Sequence, residues 1–372
     1  MSLTDDLAQL ETPCLLLDID RLQRNIDRFN AIAARHGVTL RPHLKTLKCV
    51  EAARMTVGAS GPITVSTLAE AEHFARAGYR DILYAVGMAP AKLARARRIR
   101  QELGADLLLL TDSTRLAEAA AGMDLDFLIE VDCGDARGGL PAASPHLLAV
   151  AAAIEAGGNR VRGVLTHAGH SYGAKDPADV RPIAATERDT AVAAARRLRE
   201  AGYAADIVSI GSTPTVAFAE DLTGVTEVRA GVYMPFDLDQ MSRGVCQPED
   251  LALSVLATVI GHNREAGRIL IDAGGLALSK DISAHAHLPN VGYGLVVDPE
   301  TAAPLEGLAV NGASQEHGKI DIADPEWYAR LPVGAQVRVL PNHACFTAAA
   351  YPGYRLLQDG RLNGQWTRVN GW

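Results

Sequence analysis

The chain has 372 residues, of which 48% are hydrophobic and 22% are charged, and its formal net charge is −8. This length suits a barrel-sized domain with a smaller partner, and the negative charge disfavours nucleic acid and anionic membrane surfaces as partners. No run of 18 apolar residues occurs, and the acidic start lacks a signal-peptide pattern. The five scattered cysteines are typical of reduced thiols, so we expect a cytoplasmic protein.

Eight short β-prone segments alternate with helical segments between about residues 38 and 235. Ser144 and Pro145 are typical of a helix start. The alternation predicts an α/β fold with a (β/α)8 barrel, although an open doubly wound sheet would give a similar count. The predicted strands are 38–43, 63–66, 81–86, 106–111, 126–132, 161–167, 206–211 and 226–231, and the predicted helices are 68–78, 91–104, 113–122, 144–158 and 187–202.

The pattern changes near residue 250. From there, short strand-like segments are separated by Gly, Pro and Asn turns, with almost no helical period. We therefore predict a barrel domain over 13–245 and a mostly β domain over 246–372, which residues 1–12 can join. The strand-like segment 11–20 pairs with one of these domains, and the sequence leaves open which one.

The active site of such a barrel lies at the C-terminal ends of its strands. Lys45 follows the first predicted strand, where partial desolvation would lower its pKa and suit Schiff-base chemistry. His43 is two residues earlier on that predicted strand, so both would face the same side. Glycines around Arg137 favour a tight turn that directs the guanidinium inward. The ordinary alternatives are a solvated loop lysine, a surface arginine and, for His167 at the end of the sixth strand, a core histidine.

Two turns rich in Gly, Ser and Thr follow the seventh and eighth predicted strands. Barrels commonly bind a phosphate at this position, because glycine lets the backbone approach the anion and hydroxyl and amide groups donate to its oxygens. Each turn alone is a weak signal, and their joint placement makes it stronger. The turns contain Ser212 and Thr213 in one case, and Gly231 and Val232 in the other.

Eight short motifs occur between residues 41 and 347: RPHLKTLK, VDCGDARGG, THAGHSYG, GSTPT, EVRAGVYMPFD, DAGGLALSKD, SQEHG and PNHACFT. In this order they resemble the segments of the fold-type III pyridoxal-phosphate enzymes related to D-serine dehydratase and D-threonine aldolase. The resemblance extends from Thr12 to about Tyr354. Leu47 stands where the usual segment has His, and Phe346 stands where it has Pro.

This resemblance implies an alanine racemase-like barrel that binds pyridoxal 5'-phosphate, followed by a D-serine dehydratase-like β domain. It makes Lys45 the cofactor lysine and places His167 on or near the pyridine ring. It places Arg137 at the phenolic oxygen and Tyr172 along the cofactor. The residues that would hold the phosphate are Ser212, Thr213, Gly231 and Val232.

The resemblance also gives a role to His343 and Cys345. Two apart on a predicted strand, they would share a face and could ligate one divalent ion. In the dehydratase branch a His and a Cys hold zinc, whereas D-threonine aldolases usually have Asp at the second position. A thiolate favours Zn²⁺ and a carboxylate suits Mn²⁺ or Mg²⁺, so we expect zinc, with manganese or magnesium as alternatives.

The implied activity is that of a lyase acting on a small D-β-hydroxy amino acid. Dehydration of a substrate such as D-serine or D-3-hydroxyaspartate would give a 2-oxo acid and ammonia. Three alternatives stay open: an aldolase of the D-threonine or 3-hydroxy-D-aspartate type, an amino-acid racemase, and a cofactor-binding regulatory protein. A racemase gives no role to the metal pair, and the regulatory relatives usually lack the β domain. We also expect a homodimer.

Overall fold

A computed structural model describes residues 3–372 of the chain. They form two compact units. The barrel unit comprises Asp27–Gly231 and Val369–Trp372, and the β unit comprises the described residues through Ile26 together with Val232–Arg368. The predicted barrel domain, 13–245, therefore includes residues that the structure groups with the β unit.

Eight parallel strands form the sheet of the barrel unit, in the order β2-β9-β8-β7-β6-β5-β4-β3. A parallel bridge between His43 and Thr64 joins the two ends of this sheet, and the Thr64 N–H donates to the Pro42 carbonyl at 2.9 Å. The predicted barrel is confirmed, and the open sheet is excluded. The strands are β2 Thr39–Leu40, β3 Ile63–Val65, β4 Asp81–Gly87, β5 Asp106–Thr111, β6 Asp126–Glu130, β7 Arg160–Leu165, β8 Ile207–Ile210 and β9 Glu227–Val228.

Helices connect these strands, and two of their starts follow from local sequence. The Ser144 hydroxyl accepts the His146 N–H at 3.1 Å and caps α7 as predicted. Helix α8 begins at Pro177 instead of residue 187, because the Asp176 carboxylate caps it and Pro182 is accommodated within the helix. The helices are α2 Ile19–His36, α3 Val50–Val57, α4 Leu68–Arg76, α5 Leu93–Leu103, α6 Thr114–Ala119, α7 Pro145–Ala156, α8 Pro177–Glu200 and α9 Thr213–Phe218.

Leucines from four neighbouring strands form one apolar cluster in the barrel unit. All of them are at least nine-tenths buried, so truncating one to alanine would cost roughly 2–5 kcal/mol of stability. This packing supports the strand ends, at which the candidate site residues lie. The cluster consists of Leu83, Leu108, Leu110, Leu128 and Leu165.

The β unit contains a nine-stranded sheet in the order β11-β14-β13-β12-β15-β10-β1-β16-β17. The N-terminal strand β1 pairs antiparallel with β10 and parallel with β16, which settles the question that the sequence left open. The strands are β1 Cys14–Asp18, β10 Leu253–Asn263, β11 Arg268–Ile271, β12 Leu295–Val297, β13 Pro304–Ala313, β14 Gly318–Asp321, β15 Gln336–Leu340, β16 Gly353–Gln358 and β17 Arg361–Thr367.

Short helices complete the β unit: α1 Leu3–Leu7, α10 Leu238–Ser242, α11 Gly275–Leu278, α12 Trp327–Arg330 and α13 Ala344–Ala349. Its buried leucines include Leu7, Leu16, Leu256 and Leu357, which pack together. Among residues 3–372, no helix combines the length and the apolar character needed to cross a membrane.

Candidate active site

Lys45 lies in a turn beyond strand β2 and is exposed. The prediction that His43 and Lys45 share a strand face is wrong, because the backbone pairing ends at His43, whose N–H donates to the Ala230 carbonyl at 2.7 Å, and Lys45 lies in the turn that follows. The turn nevertheless brings the two residues together, since the Lys45 N–H donates to His43 Nδ1 at 3.5 Å. The amide of Lys48 closes the turn by donating to the Leu44 carbonyl at 2.7 Å.

A buried arginine lies at the end of strand β9. Arg229 is 4% exposed and donates to the Ser209 hydroxyl and to the Thr166 carbonyl, each at 2.6 Å. Burial lowers its pKa to about 10, so it stays cationic at neutral pH. The sequence analysis missed this residue, although it lies within the EVRAG segment. Its charge and that of Lys45 both act on His43 and His167.

The histidines at this end are held neutral. Burial lowers the pKa of His43, and the charges of Lys45 and Arg229 lower it further. The pKa of His167 falls to about 3: burial lowers it, the hydrogen bond to Gly211 opposes this, and the charge of Lys45 adds to the fall. Neutral histidines among cationic groups suit an anionic ligand.

The neighbours of His167 fix the position of its proton. His167 Nδ1 lies 2.7 Å from the Gly211 carbonyl, which can only accept, so Nδ1 carries the proton and Nε2 has a free lone pair. The Tyr172 ring, in the 3-10 turn Gly169–Gly173, has its centroid 6.3 Å from that of His167. The structure therefore brings together two of the residues predicted to line the cofactor.

Two glycines lie where the predicted phosphate turns approach the backbone of neighbouring strands. Gly211 has a φ of +138°, and a Cβ there would lie 2.2 Å from the Arg229 carbonyl oxygen. A Cβ on Gly231 would lie 2.5 Å from the His43 carbonyl oxygen. Both positions therefore require glycine. Val232, the next residue, is buried.

Ser212 and Thr213 are both buried but have different hydrogen-bonding states. The Ser212 hydroxyl accepts the Thr215 N–H at 3.2 Å and lies 2.9 Å from the Ser171 hydroxyl, so it serves as the cap of helix α9. In contrast, Oγ1 of Thr213 makes no hydrogen bond within the described part of the chain. A buried hydroxyl without a partner, next to glycine turns and cationic side chains, fits the phosphate of pyridoxal phosphate.

Arg137 lies in a tight turn, and its side chain is 58% exposed. The turn is held by the Asp132 carboxylate, which accepts two backbone amides, and a Cβ on Gly139 would lie 2.8 Å from the Asp132 nitrogen. The guanidinium is paired loosely with Glu130 at 3.7 Å and Asp135 at 3.9 Å. Its contact with a cofactor oxygen stays a prediction.

In the β unit, His343 and Cys345 lie at the start of a helix. The prediction that they share a strand face is wrong: β15 ends at Leu340, because Pro341 has no N–H to continue the ladder, and α13 begins at Ala344. A hydrogen bond between the two side chains still brings them together. Helix geometry has replaced strand alternation without separating the pair.

Two carboxylates that the sequence analysis missed surround this pair. Asp281 Oδ2 lies 3.5 Å from His343 Nδ1, while its Oδ1 accepts the Ser283 N–H and hydroxyl at 2.9 and 2.5 Å. Asp237 is buried and accepts the Ala344 N–H at 2.9 Å. Their only sequence signal is their place in the SKD and MPFD segments.

These carboxylates give the pair an anionic environment. Burial opposes protonation of His343, but hydrogen bonds to Asp281 and Cys345 and the negative charges nearby raise its pKa to about 11. For Asp281, burial is outweighed by hydrogen bonds from His343 and Ser283, which lower its pKa to about 2. An imidazole and a thiol with carboxylates beside them fit a divalent cation.

The cation would have two side-chain ligands. Within residues 3–372, no cluster of three or more His, Cys, Asp or Glu side chains has the geometry to hold a metal. The Phe346 ring lies 4.4 Å from the imidazole of His343 and covers part of it. Two ligands would leave coordination positions open for water or substrate.

Comparisons with known proteins bear on both units. The alanine racemase N-terminal domain family matches residues 17–238, and the serine dehydratase domain family matches residues 252–357. The chain is 46% identical to D-threo-3-hydroxyaspartate dehydratase of Delftia sp. strain HT23, over 99% of this chain and 100% of that protein. It is 30% identical to D-serine dehydratase of Dictyostelium discoideum, over 95% of each chain.

A solved structure gives the same result. The metal-free form of a Cys→Ala variant of D-threo-3-hydroxyaspartate dehydratase matches with a TM-score of 0.95 and 44% identity, over 99% of this chain and 100% of that chain. In this chain, the alanine racemase N-terminal domain family covers most of the barrel unit, and the serine dehydratase domain family follows it within the β unit. The chain therefore belongs to the fold-type III pyridoxal-phosphate enzymes, in the group of lyases that join an alanine racemase-like barrel to a serine dehydratase domain.

Proposed function

We propose that this protein is a pyridoxal-phosphate- and metal-dependent dehydratase of D-β-hydroxy amino acids. In the reaction the Cα–H and Cβ–O bonds break and water is lost. The double bond that forms lies between Cα and Cβ, and a proton added at Cβ turns this enamine into an imine. Hydrolysis of the imine takes up one water, so the net products are a 2-oxo acid and ammonium. The observation that carries the proposal is the full-length likeness to a dehydratase, in a chain that has both a lysine centre and a His–Cys centre.

The lysine centre would hold the cofactor mainly through residues of the barrel unit. We assign covalent attachment to Lys45 and the phosphate to the turns of Thr213 and Gly231, with Ser212 and Val232 beside them. Arg137, His167 and Tyr172 would line the rest of the cofactor. When bound, pyridoxal phosphate supplies an electron sink for negative charge at Cα. Support comes from the buried, unpartnered Thr213 hydroxyl and from the neutral His167.

Within this centre we assign the movement of the Cα proton to Lys45, because a lysine amine that has lost its proton is an effective base. His167 offers Nε2 as an acceptor, since its Nδ1–H is engaged by the Gly211 carbonyl. Arg229 stays cationic, and its charge would favour binding of a substrate carboxylate.

The His–Cys centre would hold a divalent metal through His343 and Cys345. A thiolate ligand favours Zn²⁺ over Mn²⁺ and Mg²⁺. When bound, the metal supplies a Lewis acid, which suits the departure of a β-hydroxyl group. Support comes from the anionic surroundings of the pair and from a solved dehydratase, of which a Cys→Ala variant is described in a metal-free form.

A substrate panel tests the proposal. Purified protein is supplied with pyridoxal phosphate and Zn²⁺ and given D-serine, D-threo-3-hydroxyaspartate, D-threonine and the L-forms. The 2-oxo acid, the aldehyde with glycine, and the inverted amino acid are scored separately. We expect 2-oxo acid and ammonium in equal amounts from a D-form only. Aldehyde with glycine would instead indicate an aldolase, inversion a racemase, and cofactor binding without turnover a regulatory protein.

The cytoplasmic location and the homodimer stay predictions. Light scattering of the purified chain tests the second of them.

A further inference from the structure

One side chain joins two of the turns that form the lysine centre. Glu187, on helix α8, is fully buried. Its Oε1 accepts the N–H of Ala168 at 2.8 Å and the N–H of Gly211 at 3.0 Å. Ala168 belongs to the turn after β7 and Gly211 to the turn after β8. Because buried amides without an acceptor are strongly unfavourable, this oxygen ties the two turns together.

The same contacts enclose His167. Ala168 directly follows His167 in the chain, and the carbonyl of Gly211 takes the His167 Nδ1–H at 2.7 Å. Glu187 therefore fixes the peptide units on both sides of this imidazole. The position of the Gly211 carbonyl decides which ring nitrogen carries the proton. If Gly211 moved, its carbonyl would no longer determine which nitrogen of His167 is protonated.

The groups that act on Glu187 belong to the lysine centre. Burial raises the pKa of Glu187, while the hydrogen bonds from the Ala168 and Gly211 amides and the charge of Arg229 oppose that rise. Arg229 donates to the carbonyl of Thr166, the residue before His167. Other charges that act on His167 are those of Lys45 and Arg137.

We propose that Glu187 is a positioning residue of the cofactor centre: it joins the turns after β7 and β8 and so sets the position and tautomer of His167. The inference rests on the proposed function, because His167 is assigned there to line the cofactor. Glu187 lies outside every motif that pointed to the site, in a stretch with an ordinary helical pattern.

A matched pair of variants separates the position of the oxygen from the chemistry of the carboxyl group. Glu187→Asp keeps the carboxyl group but withdraws its oxygens by one methylene, and Glu187→Gln keeps an oxygen in place but is not ionisable. Glu200→Asp is the control, since Glu200 lies on the same helix with its side chain 67% exposed. We expect Glu187→Asp to weaken the affinity of the cofactor-free protein for pyridoxal phosphate about tenfold. Glu187→Gln and Glu200→Asp should stay near the wild-type value.

The second readout is an NMR titration of the cofactor-free protein labelled with ¹⁵N-histidine, with His167→Gln to assign the signal. In the wild type and in Glu187→Gln, His167 should carry its proton on Nδ1 and keep its pKa at about 3. In Glu187→Asp, the two neutral tautomers of His167 should mix, because the Gly211 carbonyl no longer holds the proton on Nδ1.

Two results would overturn the inference: an unchanged His167 signal and cofactor affinity in Glu187→Asp, or equal disturbance by Glu187→Gln. Because the titration needs no cofactor, it tests Glu187 by itself. A wild-type protein that binds no pyridoxal phosphate would contradict the proposed function instead.

Discussion

The two units use histidine in opposite electrostatic settings. In the barrel unit, burial and neighbouring cations bring the pKa of His167 down to about 3. In the β unit, hydrogen bonds to Asp281 and Cys345 outweigh burial and raise the pKa of His343 to about 11. The residue type is the same and both side chains are largely buried, so the charges of the neighbours decide the outcome. One centre is suited to an anion, and the other to a cation.

The two centres also differ in how the chain builds them. The barrel centre consists of turns at the ends of parallel strands, where glycines such as Gly211 and Gly231 allow close backbone approach. The β centre consists of a helix start and a loop, with Asp237 and Asp281 as the organising groups. Backbone turns dominate the first centre, and side-chain carboxylates dominate the second.

Removing the lysine should have the largest effect and leave the β centre intact. We expect Lys45→Ala to abolish covalent attachment of the cofactor and to lower turnover about ten-thousandfold, as for loss of a proton-transferring group. Borohydride reduction followed by peptide mapping identifies the attached lysine. Lys175→Ala, at an exposed position, is the control. A label on Lys48 or Lys280 would show that the assignment of Lys45 is wrong.

Removing the metal should have the next largest effect and leave the barrel centre intact. Turnover should fall about a thousandfold on chelation, because loss of a Lewis acid costs several kcal/mol of transition-state stabilisation. The visible absorbance of the lysine-bound cofactor should not change, and added Zn²⁺ should restore activity. If metal-free protein keeps full activity, the metal has no role in the reaction, and a racemase becomes the better interpretation.

Asp281 offers a smaller and more selective change to the β centre. Asp281→Asn should weaken metal affinity roughly 10–100-fold, because the carboxylate that orients the ligating imidazole is lost. Competition with a fluorescent chelator measures this affinity. Asp359→Asn, at an exposed turn with a φ of 50° that Asn tolerates, is the control. Cofactor affinity should be the same in both variants, and a parallel loss in Asp281→Asn would contradict the assignment.

The smallest effect concerns the pH dependence of stability in the barrel unit. Because the pKa of His167 is lowered in the folded state, its contribution to stability is full above about pH 6.5 and is lost as the pH falls toward about 3. This group should change the free energy of unfolding by at most about 1.4 kcal/mol per pH unit. The free energy of unfolding of cofactor-free protein, measured with denaturant at several pH values, should depend less steeply on pH in His167→Gln than in the wild type. An equal pH dependence in the two proteins would mean that His167 is not held neutral by the fold.

Local patterns predicted the barrel well, since strand and helix periods and a cap such as Ser144 act over short distances. The start of helix α8 was missed because Pro182 looks like a break when its accommodation within a longer helix cannot be seen. Short motifs also located Lys45, His343 and Cys345. They could not give the local conformation, since Lys45 lies in a turn and Pro341 ends the strand before His343 and Cys345.

The residues that the sequence analysis missed share one property. Glu187, Arg229 and Asp281 act through partners that are distant in sequence, such as the amide of Gly211 and the imidazole of His343. From sequence alone, a glutamate within a helical pattern is expected to be exposed on the surface. Only tertiary structure distinguishes it from its exposed neighbours.

Under the proposed function, the barrel unit holds the anionic cofactor and the β unit independently holds the cation. The most direct test is to measure metal content and borohydride-fixed cofactor in Lys45→Ala and Cys345→Ala, both isolated from medium that contains pyridoxine and Zn²⁺. We predict that Lys45→Ala retains its metal and lacks fixed cofactor, and that Cys345→Ala retains fixed cofactor and lacks metal. Loss of both groups in either variant, or metal retained in Cys345→Ala, would contradict the account.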